Sequence, residues 1–220
     1  MKRFSILLLI NFLSLAIYAQ TFANYGALGP GGGGGTVKAY VKSDGTTITR
    51  NPYLFKSWEN NSTMTTKEGK DIMVPKVNFD VVNSRFVAEI SNDSIFAFYN
   101  IEKVIVNSLI YEKFKDKFYQ VLFRNSNNIV LLKDYALLEK KAMIHATTNT
   151  ILKPAEFVLI SKYYVILDKE EIQEAKLNKK SILSLLNKKE ESIMNFVKKN
   201  RLSYTKEEDA IDIFKFYATL

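Results

Sequence analysis

Residues 72–123 read IMVPKVNFDVVNSRFVAEISNDSIFAFYNIEKVIVNSLIYEKFKDKFYQVLF, short blocks of β-branched and aromatic residues broken by Asn, Asp and Ser. Within them Val77, Phe79 and Val81 alternate with Lys76, Asn78 and Asp80. That is the period-two pattern of a strand with one face buried and one wet. Working outward, Ser62 to Lys67 and Asp71 to Val82 flank Glu68-Gly69, and Arg85 to Ile90 and Ser94 to Tyr99 flank Ser91-Asn92-Asp93. Lys103 to Asn107 precedes Lys117 to Arg124, and Asn125 to Asn128 turns the chain into Ile129 to Lys133. Turn signals roughly every ten residues predict an antiparallel meander rolled into a barrel-like or sandwich sheet. Pro75 inside one run marks that strand as an edge or a bulge. Glu156 to Ile160 and Lys162 to Leu167 read as a last hairpin, with Tyr163 and Tyr164 beside its turn.

Beyond Asp168 the period changes to that of helices. Ser181 to Leu186 is short and apolar, and Asn187-Lys188-Lys189-Glu190 has a cap residue followed three later by Glu, a helix start. Ile193, Phe196 and Val197 then share a face. Thr205-Lys206-Glu207-Glu208 repeats the signal, and Ala210, Ile213, Phe214 and Tyr217 fall at i, i+3, i+4 and i+7. Such a helical hairpin is too small to hold alone and is expected to dock on the sheet. The fold class is therefore α+β.

At the other end, Lys2 and Arg3 precede the apolar run Phe4 to Ile17 and Tyr18-Ala19-Gln20. This is the layout of a secretory signal, with cleavage expected after Ala19. The apolar run is shorter than the roughly 20 residues of a spanning helix. Removing residues 1–19 leaves 29 basic against 23 acidic side chains. Pro30 and Gly31 to Gly35 have nothing to bury and read as a linker. The expected organisation is a signal peptide at 1–19, a Gly-rich flexible linker at 20–36, a β-ribbon at 37–50 turning at Asp44-Gly45, an antiparallel β-domain at 51–168 and a helical tail at 169–220. The mature protein is expected to be periplasmic or secreted.

Ala39-Tyr40-Val41-Lys42-Ser43-Asp44-Gly45-Thr46 resembles a Gly-Tyr-x-Arg-x-Asp-Gly-Thr ribbon of secreted bacterial proteins, with Ala39 in place of glycine. Asn51-Pro52-Tyr53-Leu54-Phe55-Lys56-Ser57-Trp58 holds the only tryptophan. A Pro-Tyr-Leu-Phe…Trp segment followed by Thr-rich strands resembles the opening of an uncharacterised family of secreted Gram-negative bacterial proteins. The resemblance would cover Pro52 to Leu220 and implies an antiparallel β-domain followed by a basic helical tail, with no assigned chemistry. Physically, Tyr53, Phe55 and Trp58 are either a platform for sugar rings or a plug closing one end of the sheet. Tyr163 and Tyr164 are the second candidate binding pair.

The chemical inventory is sparse. With no cysteine and a single histidine, His145, the chain has no disulfides, thiolate metal sites or cysteine nucleophiles. His145 reads as a strand residue bonded to a neighbour, and no zinc spacing, calcium loop or nucleophile elbow appears. Glu170, Glu171 and Glu174 form a carboxylate cluster near a helix start, where the dipole alone favours acids. Lys188, Lys189, Lys198, Lys199 and Arg201 recur in the tail as a basic stripe for anionic lipid or glycan, amid acidic residues that cancel much of its field. Asp93-Ser94-Ile95 has the form of an O-glycosylation site, or of a turn-capping Asp. No catalytic residue, metal or cofactor is assigned. The expected function is a non-enzymatic envelope protein binding another envelope protein or glycan, with membrane-surface contact open through the basic tail and nucleic acid not expected. A carrier with an apolar cavity and a carboxylate-dependent hydrolase are the alternatives.

Overall fold

The computed structural model describes residues 36–37, 51–91, 94–126, 129–167 and 171–220. The signal peptide, the glycine run and the β-ribbon beyond Val37 lie outside the described residues. The chain divides into two compact units, one holding Phe55–Asn107 with residues 36–37, the other Ser108–Leu220 with residues 51–54.

The first unit contains β1 (Thr36–Val37), β2 (Ser62–Thr66), β3 (Asp71–Val74), β4 (Val77–Asp80), β5 (Arg85–Ser91), β6 (Ser94–Ala97) and β7 (Ile101–Val106). Antiparallel pairing orders them β1-β6-β5-β4 in one sheet and β7-β2-β3 in another. In β2 the residues Ser62, Met64 and Thr66 are buried while Thr63 and Thr65 are not, the alternation of a strand covered on one side. The turn into β3 falls at Glu68-Gly69, where Gly69 takes φ +77°, a conformation open to glycine.

Two expectations are corrected here. The run Asp71 to Val82 is two strands, not one. Pro75 has no N–H for a ladder, and Lys76 takes φ +53°, so the chain swings from β3 into β4 between them. Nor does β4 have a wet face, since Val77, Asn78, Phe79 and Asp80 are all buried. The polar positions are buried because they are fully bonded. Asp80 accepts from Val82 N and Asn83 N at 3.1 Å and from Arg85 Nε at 3.2 Å, closing the turn into β5. Asn78 binds the backbone of the opening segment, described below.

The second unit contains β8 (Leu109–Phe114), β9 (Lys117–Arg124), β10 (Val130–Lys140), β11 (Met143–Ile144), β12 (Ile151–Lys153), β13 (Glu156–Ile166) and β14 (Gln173–Glu174). Helices α1 (Lys179–Leu185), α2 (Glu190–Asn200) and α3 (Glu207–Tyr217) follow, with a 3-10 turn at Asn187–Lys189. The sheet order is β8-β9-β10-β13-β14, antiparallel throughout, with β11–β12 paired apart. Among the described residues no sheet closes into a barrel. Ile129, Leu131 and Val165 share a buried cluster with Ile182, Leu186, Ile193, Val197, Ala210, Ile213 and Phe214.

The expected hairpin turning near Ser161 is also absent. Glu156–Ile166 is one strand, in continuous register with Val130–Lys140 from Val130↔Ile166 to Lys140↔Glu156. Ser161 adopts extended backbone as readily as its neighbours, and with no Gly, Pro or Asn beside it nothing forces a turn. Strand β8, unassigned in the sequence reading, pairs with β9 across Lys115-Asp116, where Lys115 holds φ +58° without the glycine that usually marks such a turn.

Helix ends differ from the sequence signals as well. Asn178 caps α1, its Oδ1 accepting from Ser181 N at 2.8 Å. Asn187 instead opens the 3-10 turn, and α3 begins after Lys206 without a side-chain cap at that residue. The Asp209 carboxylate reaches back to Ser203 N at 2.7 Å. α2 ends in a Schellman motif: Arg201 N donates to Lys198 O and Leu202 N to Val197 O, with Arg201 at φ +55°.

Candidate functional site

The register of the second unit lines up a polar row. Tyr111 lies opposite Gln120, Gln120 opposite Lys133, and Lys133 opposite Tyr163, so residues from four strands cross one face of the sheet. Glu207, the first residue of α3, closes the row. Its Oε2 accepts from Lys133 Nζ and from the Tyr163 hydroxyl, each at 2.7 Å. Lys133 Nζ lies 5.2 Å from the Tyr135 ring centroid and 6.0 Å from that of Tyr163, a cation held between two aromatic rings and a carboxylate. The Tyr135 hydroxyl donates to Gln120 Oε1 at 2.5 Å.

Burial and then the Glu207 carboxylate, which accepts the phenol proton, push Tyr163 well above the ordinary tyrosine range. Burial, followed by the adjacent Tyr135, does the same to Tyr111. Lys133 and Tyr163 donate to Glu207 and Tyr135 donates to Gln120, which makes the arrangement a clamp between sheet and helix.

A pH dependence follows from the raised phenols. A tyrosine whose folded pKa exceeds its unfolded value contributes stability that is complete below about pH 10 and is lost as pH rises towards the folded value. Unfolding free energy measured in urea from pH 9 to 11.5 is expected to fall with rising pH. The slope should be shallower in Tyr163→Phe, and equal slopes would show that Tyr163 is not protected.

On the opposite face Tyr164 packs edge-on to Tyr119, with ring centroids 5.4 Å apart. Burial, and next the carboxylate of Asp134, push both phenols up. Asp134 is buried and takes Lys117 Nζ at 2.5 Å. The two neighbouring tyrosines singled out in the sequence therefore stand on opposite faces, as adjacent strand residues must, and form no common platform.

The aromatic opening segment is divided in the same way. Tyr53 belongs to the second unit, Phe55 and Trp58 to the first. Asn78 pins Phe55: its Oδ1 accepts from Phe55 N and its Nδ2 donates to Phe55 O, both at 2.9 Å. Buried Asn60 adds Nδ2 bonds to Ser57 O at 2.6 Å and Val77 O at 3.0 Å, and Asn107 Nδ2 donates to its Oδ1 at 2.8 Å. Two asparagine side chains thus do the work of an extra strand.

Lys188, Lys189, Lys198, Lys199 and Arg201 are all exposed. Lys198 and Lys199 occupy the last turn of α2, where cations suit the helix dipole. Lys188 and Lys189 border a hollow of about 160 Å³ with Leu167 and Tyr217. A larger open groove of about 500 Å³ runs over α2 and α3, lined by Phe196, Leu202, Asp212, Lys215 and Phe216, with the Phe196 and Phe216 rings stacked at 4.0 Å. Glu171 and Glu174 are exposed, while Glu170 and Asp93 lie outside the described residues. Among the described residues no three His, Asp or Glu side chains are grouped to hold a metal. No described helix is long and apolar enough to cross a membrane.

The feature that sequence reasoning missed is an arm. Only Val130 to Lys133 of β10 pair with β9, and only Tyr164 and Val165 of β13 pair with β14. The far halves, Ala136 to Lys140 and Glu156 to Ile160, pair only with each other among the described strands. The same register carries on past Pro154 to Met143↔Lys153, so β11–β12 extends the ribbon to a tip at residues 145–150. At that tip His145 N donates to Thr150 O at 2.9 Å, and Nδ1 faces Thr148 N at 3.3 Å. The apolar residues Leu137-Leu138 and Phe157 to Ile160 were a visible signal, but they read as core until the sheet around them was seen to stop. Comparison with family models, with curated proteins and with solved structures finds no match for this chain.

Proposed function

We propose that this chain is a non-enzymatic, exported interaction module of the cell envelope that engages a protein partner through the arm at 136–160. In this reading the helical hairpin of α2 and α3 is docked as a brace on the sheet that carries the arm. Export rests on Lys2-Arg3 and the apolar run to Ile17.

The observation that carries the binding role is the exposure of the arm's aliphatic side chains. Leu138, Met143, Ile144, Ile151, Leu152 and Leu159 are between 46% and 67% exposed, all on one two-stranded ribbon. Such a ribbon is marginal in water unless a face is covered, and clustered exposed apolar surface marks a protein contact. Aliphatic side chains beside open backbone edges suit an extended polypeptide, whereas a glycan site uses aromatic planes ringed by polar groups. The two grooves described above border the helices, whereas the carrier alternative needs a cavity enclosed by a sheet.

The test is a photo-activated cross-linking amino acid placed singly at Leu138 and Ile144 in the exporting cell, with exposed Ser184 on α1 as control. Protein adducts at both arm positions and none at Ser184 are expected. Arm positions that give no more adduct than Ser184 would remove the proposal.

A further inference from the structure

Resting on that reading of the arm, we infer that its partner is a second copy of this chain, paired antiparallel along the outer edge of β13 about a two-fold axis at Leu159. Among the described strands the edge is unpaired at Leu159 and Ser161. The Tyr163 carbonyl accepts from Ala175 N at 2.8 Å on the β14 side. Backbone groups of alternate strand residues point the same way, so Leu159 and Ser161 direct theirs to that edge. Beyond Tyr164 no described strand covers it.

The sequence along this edge is complementary to its own reverse. Turned antiparallel about Leu159, the strand sets Leu159 against its mate, Val158 against Ile160, and Glu156 against Lys162. Leu159 would exchange both backbone hydrogen bonds with the other Leu159. The Val158–Ile160 and Glu156–Lys162 pairs fall on one face, so an apolar strip is closed at each end by an ion pair. Both charged side chains are free to move into such pairs. Lys162 is exposed, and among the described residues Glu156 meets Lys140, at 3.4 Å with both side chains more than half exposed. An isologous contact of this kind closes at two copies and leaves no repeating edge. That is how an apolar edge escapes open-ended aggregation.

The register makes a specific charge test possible. Glu156→Lys places lysine opposite lysine in a homodimer, and Lys162→Glu places glutamate opposite glutamate. Mixed one to one, the two variants restore both ion pairs. Sedimentation of the mature full chain at micromolar concentration is expected to show a dimer for the wild type. Each variant alone should dimerise about tenfold or more weakly, and the equimolar mixture should regain wild-type affinity. Unchanged near-ultraviolet circular dichroism in each variant excludes misfolding as the cause. A monomeric wild type, or a mixture that behaves as the sum of its parts, overturns the inference. Cross-links from Leu138 and Ile144 to a different protein, together with a monomeric wild type, would sink the second copy while leaving the arm as a binding surface. Failure of the cross-linking itself would sink both.

Discussion

Phe214→Ala is expected to destabilise the second unit by about 3–5 kcal/mol, the range for emptying a fully enclosed phenylalanine site. Phe214 has no exposed surface and lies in the cluster that unites Leu131 and Val165 of the sheet with Ile182, Ile193 and Ile213 of the helices. Helices of the length of α2 and α3 do not hold their conformation in water by propensity alone, so weakening this cluster releases them together. Loss of α3 also removes Glu207 from Lys133 and Tyr163, leaving the polar row without its acceptor. Urea unfolding followed by circular dichroism measures the effect, and Phe214→Leu should recover much of the loss by refilling most of the volume. A change below about 1.5 kcal/mol for Phe214→Ala would mean that the site collapses onto the cavity or that the helices are held by something else.

Asn78→Ala is expected to cost about 2–4 kcal/mol in the first unit. One side chain there bonds both the N–H and the C=O of Phe55, and its loss leaves these groups without their partners. Trp58, three residues along and the only tryptophan in the chain, is the natural reporter. Its emission should shift to the red as the opening segment loosens, before global unfolding. Asn78→Asp keeps the acceptor for Phe55 N but loses the donor to Phe55 O, and its cost should fall between that of alanine and the wild type. An unshifted Trp58 emission in Asn78→Ala would show that the segment is held by its aromatic packing alone.

Local structure was legible wherever a short-range physical rule decides it. The alternation in Ser62–Thr66, the positive φ at Gly69 and the apolar spacing of Ala210, Ile213 and Phe214 each rest on the geometry of a few neighbouring residues. The same rules misled at Asn78 and Asp80. A polar residue in alternate register signals solvent only if nothing else supplies its hydrogen bonds, and here the Phe55 backbone and the Asp80–Arg85 turn supply them. The Lys115 and Arg201 turns were illegible for a related reason. A left-handed residue that is not glycine is held there by the pairing or packing around it and leaves no mark in composition.

The candidate site follows the same division. Tyr163 was visible as an aromatic beside a strand, yet its partners Lys133 and Glu207 lie 30 and 44 positions away, and only the register of β10 on β13 and the start of α3 bring the three together. The arm shows the limit most clearly. Leu138, Val158 and Leu159 have core composition, and an apolar side chain in a strand has the same local chemistry whether a second layer covers it or not.

By itself the sequence determined that this chain makes strands from its middle and helices from its end, because side-chain periodicity is a property of neighbouring residues. Tertiary structure alone decided which apolar stripes would be covered. Burial depends on what packs opposite, and in this chain β9 and β14 stop short and leave the ribbon at 136–160 uncovered among the described strands.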